Sequence, residues 1–175
     1  MPERDIFHDA VKNALVKEGW TITDDPLFLE FGGVDMYVDL GAEKVLAAEK
    51  DGQKIAVEIK SFVGASIISE FHKALGQFMN YRLALKVQNP EHALYLAVPL
   101  DIYESFFTLV FGQAAIQSYQ LKLIVYDEKK EVIKGSITCF LQMALKFSFE
   151  IVGRRYRYTS HNAAVGYHWH LQQSR

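Results

Sequence analysis

The sequence has a single cysteine and no apolar run as long as a membrane span. The lone Cys139 excludes an internal disulfide framework and a thiolate zinc site, which fits a reducing cytoplasm. The longest apolar stretch, residues 137–145, is followed at once by Lys146, so no transmembrane helix is predicted. We therefore expect a soluble, cytoplasmic protein without a membrane partner.

An excess of positive charge is also missing. The formal net charge is −2 at pH 7 and the sequence pI is about 6.3. Strong non-specific DNA binding requires several lysine or arginine side chains that contact phosphates, and the overall balance argues against it. A local basic patch is compatible with these values.

Length and hydrophobic periodicity predict one α/β domain with no repeat, low-complexity tract or linker. The chain has 175 residues, of which 50% are hydrophobic, enough for one well-packed core. Helical spacing predicts helices over residues 5–18, 68–86 and 102–116, the last broken near Gly112. Strands are predicted over residues 36–40, 94–98, 121–126 and 131–133. Antiparallel strands before a helical crossover indicate a mixed central sheet flanked by helices.

A hairpin with one polar face is predicted around Asp51-Gly52. This dipeptide favours a two-residue turn of type I′, because glycine accepts the positive φ that the turn needs. Such a turn places Glu43 opposite Lys60 and diagonal to Glu58. Strand alternation then puts these three residues on one face and the apolar Ile55, Val57 and Ile59 on the other.

The polar face has the geometry of a metal site. The carboxylates of Glu43 and Glu58 would come within roughly 7–8 Å at Cβ, near enough to hold one ion. Asp39 competes with Glu43: a tight loop at Gly41-Ala42 points Asp39 to the apolar face, and a bulge reverses this. We favour Glu43 and keep Asp39 as the alternative. The plainer interpretation is a solvent-exposed polar face on an amphipathic strand.

Two helices carry further polar candidates. On the second helix Lys73, Gln77 and Tyr81 form a row at i, i+4 and i+8, which otherwise marks ordinary boundary residues. On the first helix we interpret His8 and Asp9 as a solvated helix start, with a catalytic role as the alternative.

The combined motifs resemble the PD-(D/E)XK nuclease superfamily. They comprise a carboxylate (Glu43 or Asp39), then Glu-x-Lys on the next strand, then Gln-x-x-x-Tyr on the following helix, in the order αβββαβ. Three longer segments, residues 5–15, 37–44 and 55–62, closely resemble the XisH family of fdxN element excision controlling factors. The similarity runs from about residue 5 to residue 133.

This resemblance implies a restriction-endonuclease-like α/β core over residues 1–133, with a further helix and strands after the αβββαβ order. Residues 134–175 depart from the family's usual short C-terminus and are interpreted as an extension, not a separate domain. The family implies a role in programmed excision of a DNA element, beside a site-specific recombinase and a small companion factor called XisI. The superfamily implies Mg²⁺-dependent phosphodiester hydrolysis by an endonuclease or nickase.

In that mechanism Glu58, with Glu43 or Asp39, would hold Mg²⁺. Lys60 would orient and help deprotonate the attacking water. Gln77 would position the water or phosphate, and Lys73 and Tyr81 would contact the DNA backbone.

Two alternatives remain open. The first is a non-catalytic DNA- or protein-binding accessory factor, which the acidic pI favours, whereas the joint presence of Glu58, Lys60 and Gln77 favours catalysis. The second is a structural homodimer that uses the aromatic segment 103–111, although its phenylalanines, Phe106, Phe107 and Phe111, also fit a core role. In the extension, the basic and aromatic residues 154–158 and the pair His168 and His170 suggest phosphate contact or metal binding, or else a weakly packed tail.

Overall fold

The structure, a computed structural model, describes residues 4–44, 52–137, 150–151 and 154–155. The chain divides into two units, residues 1–143 and 144–175. In the second unit the described part is an antiparallel strand pair, Glu150–Ile151 with Arg154–Arg155. Residues 156–158 and the pair His168 and His170 lie outside the described residues, as does Cys139.

The first unit alternates helices and strands. It begins with helix α1 (His8–Lys17) and the strands β1 (Thr21–Asp24), β2 (Leu27–Phe31), β3 (Val34–Val38), β4 (Leu40–Lys44) and β5 (Gln53–Ile59). Then come helix α2 (Ile67–Gln88), strand β6 (His92–Pro99), the short helix α3 (Leu100–Ile102), a π-helical turn (Tyr103–Phe107) and helix α4 (Val110–Ser118). The last elements described in this unit are strands β7 (Leu123–Asp127) and β8 (Val132–Ile137).

The central sheet has six strands in the order β1-β4-β5-β6-β7-β8. Strands β5, β6 and β7 are parallel to one another, whereas β1, β4 and β8 join the sheet by antiparallel pairing. Strands β2 and β3 form a separate two-stranded hairpin. The predicted mixed sheet is confirmed. Helix α2 is the crossover that two neighbouring parallel strands require.

Both faces of the sheet are buried, and this follows from the pattern of the strands. Ile55, Val57 and Ile59 pack on the side of α1. The alternate positions of β5 and β6, with Ala56 among them, pack on the side of α2 together with the β2–β3 hairpin. Strands that are covered on both faces carry nearly continuous apolar sequence, as β6 does.

The helices follow from the periodicity and capping of the sequence. Helix α1 buries Val11, Ala14 and Leu15, as its helical spacing predicts. The side chain of Ser66 accepts a hydrogen bond from the Ser69 backbone N–H, which caps the start of α2. In the described part of the chain, every helix is too short or too polar to cross a membrane.

The strands before α2 differ from the prediction in number. The sequence predicts three strands before α2, whereas the structure has five. The two additional strands are β1, which belongs to the main sheet, and β2. A tight loop at Gly41-Ala42 was also wrong, since both residues lie within β4 and the chain breaks its strand at Asp39. The two-residue turn before α2 lies at Gly32-Gly33, where both φ angles are positive.

The register of β4 with β5 also corrects the prediction. Glu43 pairs with Lys54, and Lys44 pairs with Gln53, so Glu43 is not opposite Lys60. The paired residue numbers sum to 97, whereas a two-residue turn at Asp51-Gly52 would make them sum to 103. Residues 45–51, which include Glu49 and Asp51, lie outside the described residues.

The aromatic segment after β6 belongs mostly to the core. Phe106 and Phe107 are buried and contact Phe71 of α2, while Phe111 is 50% exposed. The predicted break near Gly112 falls instead at residues 108–109, between the π-helical turn and α4. Gly112 packs directly on the backbone of Phe106 and Phe107, so no side chain fits there.

Two glycine substitutions test this packing. Gly112→Ala should destabilise the protein by about 1–3 kcal/mol, because its Cβ would overlap backbone atoms that cannot turn aside. Gly76→Ala is the matched control: position 76 lies in α2, and a Cβ added there would meet no atom within 4 Å, so alanine should stabilise by about 1 kcal/mol. Urea unfolding curves measure both values, and equal effects would contradict the close approach at Gly112.

Candidate functional site

Three charged side chains meet where β5 ends. Asp39 occupies the gap between β3 and β4, Glu58 is the last residue but one of β5, and Lys60 follows the strand directly. The final pair of the β4–β5 ladder joins Leu40 to Val57. Asp39 is one step further along, so the register sets it opposite Glu58.

Hydrogen bonds hold this cluster of Asp39, Glu58 and Lys60 together, which we call the carboxylate cluster. Asp39 Oδ2 accepts a hydrogen bond of 2.7 Å from the backbone N–H of Ile59. The backbone of Asp39 in turn donates to the Glu58 carboxylate. Lys60 Nζ lies 2.9 Å from Glu58 Oε1. The Asp39 carboxylate is thus bound by the backbone next to Glu58, and the Glu58 carboxylate is bound by the backbone of Asp39. These bonds leave little freedom in the relative position of the two groups.

Glu58 is buried, and this excludes the plainer interpretation of an exposed polar face. The residue is only 2% exposed, and it alternates with Ile59 so that it lies on the α2 side of the sheet beside Ala56. A buried carboxyl group is unfavourable unless it is paired and hydrogen-bonded. Lys60 and the Asp39 backbone provide this compensation.

Burial also shifts the protonation of the carboxylate cluster. Burial and then the Asp39 charge raise the pKa of Glu58 from 4.5 to about 8, although Lys60 opposes the shift. Burial likewise raises the pKa of Asp39. For Lys60 burial lowers the pKa, but the charges of Glu58 and Asp39 outweigh burial and the net shift is upward.

The pKa shifts of Glu58 and Lys60 imply different protonation states of Glu58. A raised pKa for Lys60 assumes an ionised Glu58, whereas a pKa of about 8 leaves Glu58 mostly protonated at neutral pH. The ordinary pKa of lysine lies far above neutrality, so Lys60 keeps its proton in either state. Near pH 7 the carboxylate cluster therefore holds one ammonium group and fewer than two negative charges.

Glu43, the favoured first carboxylate, lies away from this cluster. Its partner Lys54 precedes Glu58 by four residues of β5, a separation of about 13 Å along a strand. The structure thus brings Asp39 to Glu58 and Lys60 and leaves Glu43 further along the sheet. The physical reason is the register, since the two-residue turn that would have aligned Glu43 does not form.

The three candidate residues on α2, Lys73, Gln77 and Tyr81, also differ in whether they lie near the carboxylate cluster. Burial, and then the nearby charge of Glu58, raise the pKa of Tyr81 to about 12. Gln77 Nε2 lies 3.5 Å from that hydroxyl group. Lys73 is exposed and paired instead with Glu70 at 2.9 Å.

The first turn of α1 supports the cluster from the other face, through contacts that the sequence did not predict. His8 Nε2 lies 3.0 Å from Asp25 Oδ1 and 3.4 Å from the carbonyl oxygen of Asp39. Asp5 accepts hydrogen bonds of 2.9 Å from the backbone N–H groups of both Phe7 and Ser61. Apart from Asp5 and Phe7, the partners are far apart in sequence.

His8 is therefore not part of a solvated helix start, because it is only 2% exposed. Its partner Asp25 is also held by Arg4 at 2.9 Å and Lys12 at 2.7 Å. This network anchors the Asp39 backbone to α1. Asp9, in contrast, is exposed as expected.

The donor set of the carboxylate cluster suits a hard cation that keeps some of its water. Asp39 and Glu58 supply carboxylate oxygens, the ligands that Mg²⁺ prefers. Within residues 4–44 and 52–137, no group of three or more His, Cys, Asp or Glu side chains could hold a metal ion. A cation here would thus have two protein carboxylates and complete its shell with water or substrate oxygens.

The geometry defines the class: a mixed α+β protein with a buried carboxylate cluster at the end of an inner parallel strand. A family model described as XisH protein matches residues 1–134. This chain belongs to the XisH family. Among curated proteins no match is found.

Two crystal structures are similar to this chain. An XisH family protein from Nostoc punctiforme PCC 73102 is 50% identical with a TM-score of 0.70. An fdxN element excision controlling factor protein from Anabaena variabilis is 52% identical with a TM-score of 0.69. In both comparisons the match covers 77% of this chain and 100% of the other.

The raised pKa of Glu58 predicts a specific pH dependence of stability. Because the folded protein holds this proton more tightly than the unfolded chain, the stabilisation is complete below about pH 4.5 and is lost as the pH rises through about 8. In buffer with EDTA, the wild type should lose stability across this window relative to Glu58→Gln. Urea unfolding at a series of pH values measures the difference. Parallel curves for the two proteins would contradict the shift.

Removing the Asp5 carboxylate should loosen the segment that carries Lys60. We expect Asp5→Ala to destabilise the protein by about 1–2 kcal/mol, because the backbone N–H groups of Phe7 and Ser61 lose their hydrogen-bond acceptor. Hydrogen exchange should become faster at the Ser61 amide. Asp9→Ala removes an exposed acid from the same turn and should leave that exchange rate unchanged. Unchanged protection of Ser61 in Asp5→Ala would count against this role.

Proposed function

We propose that this chain is an fdxN element excision controlling factor that acts as a Mg²⁺-dependent DNA endonuclease or nickase. The observation that carries the hydrolytic part is the convergence of Asp39, Glu58 and Lys60 at the end of β5. The proposed partners are DNA, a site-specific recombinase and an XisI-like companion factor, in the cytoplasm. A homodimer is compatible with this proposal.

Similarity supports the excision role. The Anabaena variabilis protein that carries this name is 52% identical, and all of its chain is matched here. Residues 135–175 fall outside the family match, and the proposal makes no use of them.

The carboxylate cluster supports the hydrolytic part. Phosphodiester cleavage requires a site that neutralises phosphate and activates water, and bound Mg²⁺ supplies both functions. Asp39 and Glu58 would hold the ion, in place of the pair Glu43 and Glu58 that the sequence favoured. A cation would also offset the cost of burying two carboxyl groups, since burial raises the pKa of both.

Lys60 acts in this proposal as a charge and a hydrogen-bond donor. Its raised pKa keeps it protonated near neutral pH, so it does not accept a proton from water. The ammonium group can orient the attacking water and stabilise the negative charge that develops on the phosphate. To do so it must exchange its contact with Glu58 for one with the substrate.

The α2 side chains have lesser roles. The Tyr81 hydroxyl group lies near Glu58 and, with a pKa raised to about 12, stays protonated and able to donate to a phosphate oxygen. Gln77 would orient that hydroxyl group or the water. Lys73 is exposed on the same helix, and it would contact the DNA backbone once its ion pair with Glu70 is broken.

The alternative is a non-catalytic DNA- or protein-binding accessory factor, and one observation favours it. Glu58 is almost fully buried and already paired with Lys60. The cluster could therefore serve only to join β4 and β5. A plasmid-nicking assay separates the two proposals.

With supercoiled plasmid DNA, we expect the wild type to produce nicked circles in Mg²⁺ and none in EDTA. Asp39→Ala, Glu58→Ala and Lys60→Ala should each reduce the rate by about 100-fold or more, because each removes a charged group from the reacting centre. Gel electrophoresis over time measures the rates.

Glu43→Ala is the matched control, since Glu43 is an acid on the same two-stranded ladder but about 13 Å from Glu58. It should cut at the wild-type rate. Loss of activity in Glu43→Ala but not in Asp39→Ala would reverse the assignment of the first carboxylate. DNA binding by every variant without any cleavage would establish the accessory factor instead.

A further inference from the structure

A second polar site lies at the opposite end of the sheet. A pocket of about 240 Å³ forms where the last turns of α2, the start of β6 and the residue before β7 meet. Its wall includes Phe78 and Leu94, which are both almost fully buried. The volume lies below the range of about 300–1,000 Å³ that is typical of drug-sized ligands. The pocket therefore suits one small group.

The pocket has two cationic side chains, Arg82 and Lys86. Among the residues that the structure describes, neither forms an ion pair with a carboxylate. Arg82 Nη1 donates to the carbonyl oxygen of Tyr119 at 2.7 Å, which fixes the guanidinium group without neutralising it. Lys122 also borders the pocket, but its ammonium group lies over the Tyr95 ring on the α1 side of the sheet, 5.7 Å from the ring centre. A local charge of +2 thus stands on a chain whose net charge is −2.

A buried imidazole ring lines the same pocket. The His92 side chain is 9% exposed, and its Nδ1 has no hydrogen-bond partner within the described residues. The carboxylate of Glu91 lies 3.5 Å from this nitrogen and also 3.7 Å from Lys54. Buried ring nitrogens are normally hydrogen-bonded, so the hydrogen bonding of His92 is incomplete.

We propose that this pocket binds a phosphate monoester, either the terminal phosphate of a DNA strand or that of a free mononucleotide. A monoester carries about −1.5 to −2 charges at pH 7, which two cations match better than they match a single carboxylate. The apolar wall of Phe78 and Leu94 closes the pocket on one side. A terminal phosphate therefore fits the pocket better than an internal phosphate of a DNA strand that continues in both directions.

This site is separate from the carboxylate cluster and goes beyond the proposed function without resting on it. His92 pairs with Lys54, whereas Glu58 pairs with Leu96, four residues further along the parallel ladder. That offset corresponds to about 13 Å. Binding in the pocket should therefore persist when the carboxylate cluster is disabled.

Calorimetric titration in EDTA tests the proposal with four probes. These are inorganic phosphate, a 5′-mononucleotide, and one single-stranded oligonucleotide with and without a 5′-phosphate. We expect the phosphorylated oligonucleotide or the mononucleotide to bind at least about tenfold more tightly than the oligonucleotide that ends in a hydroxyl group. Preference for one of the two phosphorylated probes identifies the source of the monoester.

Variants assign the binding to the pocket. The double substitution Arg82→Gln and Lys86→Gln should weaken binding by about 100-fold, tenfold for each charge-assisted contact. Lys129→Gln with Lys134→Gln removes the same charge from the β7–β8 hairpin and should change binding less than threefold, apart from general screening. Glu58→Ala should bind as the wild type does, and thermal melting confirms that each variant is folded.

Three results would overturn the proposal. The first is the absence of binding by every phosphorylated probe up to about 10 mM, well beyond the affinity of a specific site. The second is equal binding of the two oligonucleotides. The third is wild-type affinity in the folded Arg82→Gln and Lys86→Gln variant.

Discussion

The structure depends on the burial of two carboxyl groups beside one ammonium group at the end of an inner strand. The Asp39 carboxylate accepts from the backbone of Ile59, Glu58 is hydrogen-bonded to the backbone of Asp39, and Lys60 provides the compensating charge. Such a cluster is stable only if every member is paired, because an unpaired buried charge is strongly destabilising. The register of β4 with β5 allows this pairing, because it sets Asp39 opposite Glu58.

The surrounding elements can be understood as support for this cluster. On one face, Asp5 and His8 in the first turn of α1 hold the Ser61 amide and the Asp39 carbonyl group. On the other face, α2 brings Tyr81 towards Glu58. The parallel strands need α2 as a crossover in any case, so the connection that completes the sheet also encloses the site. A groove for a long polymer such as DNA would have to open along the strand end between these two helices.

The sequence predicts the helices and the faces of the strands well and the register poorly. Periodicity is a local signal that extends over many residues, and α1, α2 and β6 follow it. The turn at Asp51-Gly52 would give paired residue numbers that sum to 103, whereas Glu43 with Lys54 gives 97. The difference is even, so each residue keeps its predicted face although its partner changes. This explains why the sequence places Glu58 and Lys60 on one face, as the structure does, but puts Glu43 beside them in place of Asp39. His8 and Asp25 have no such local pattern, because only the folded chain brings them together.

The distance between the β4–β5 connection and the carboxylate cluster determines whether a change of chain length in the connection would disturb the cluster. The described part of the ladder begins with the pair Lys44 and Gln53, and Gln53 lies five residues and about 17 Å before Glu58. Lengthening, shortening or opening the chain between Lys44 and Gln53 would leave both carboxylates in register. Relatives could therefore differ there in length, and a purification tag or a new pair of termini could be placed there, without altering the chemistry at the far end of the strand.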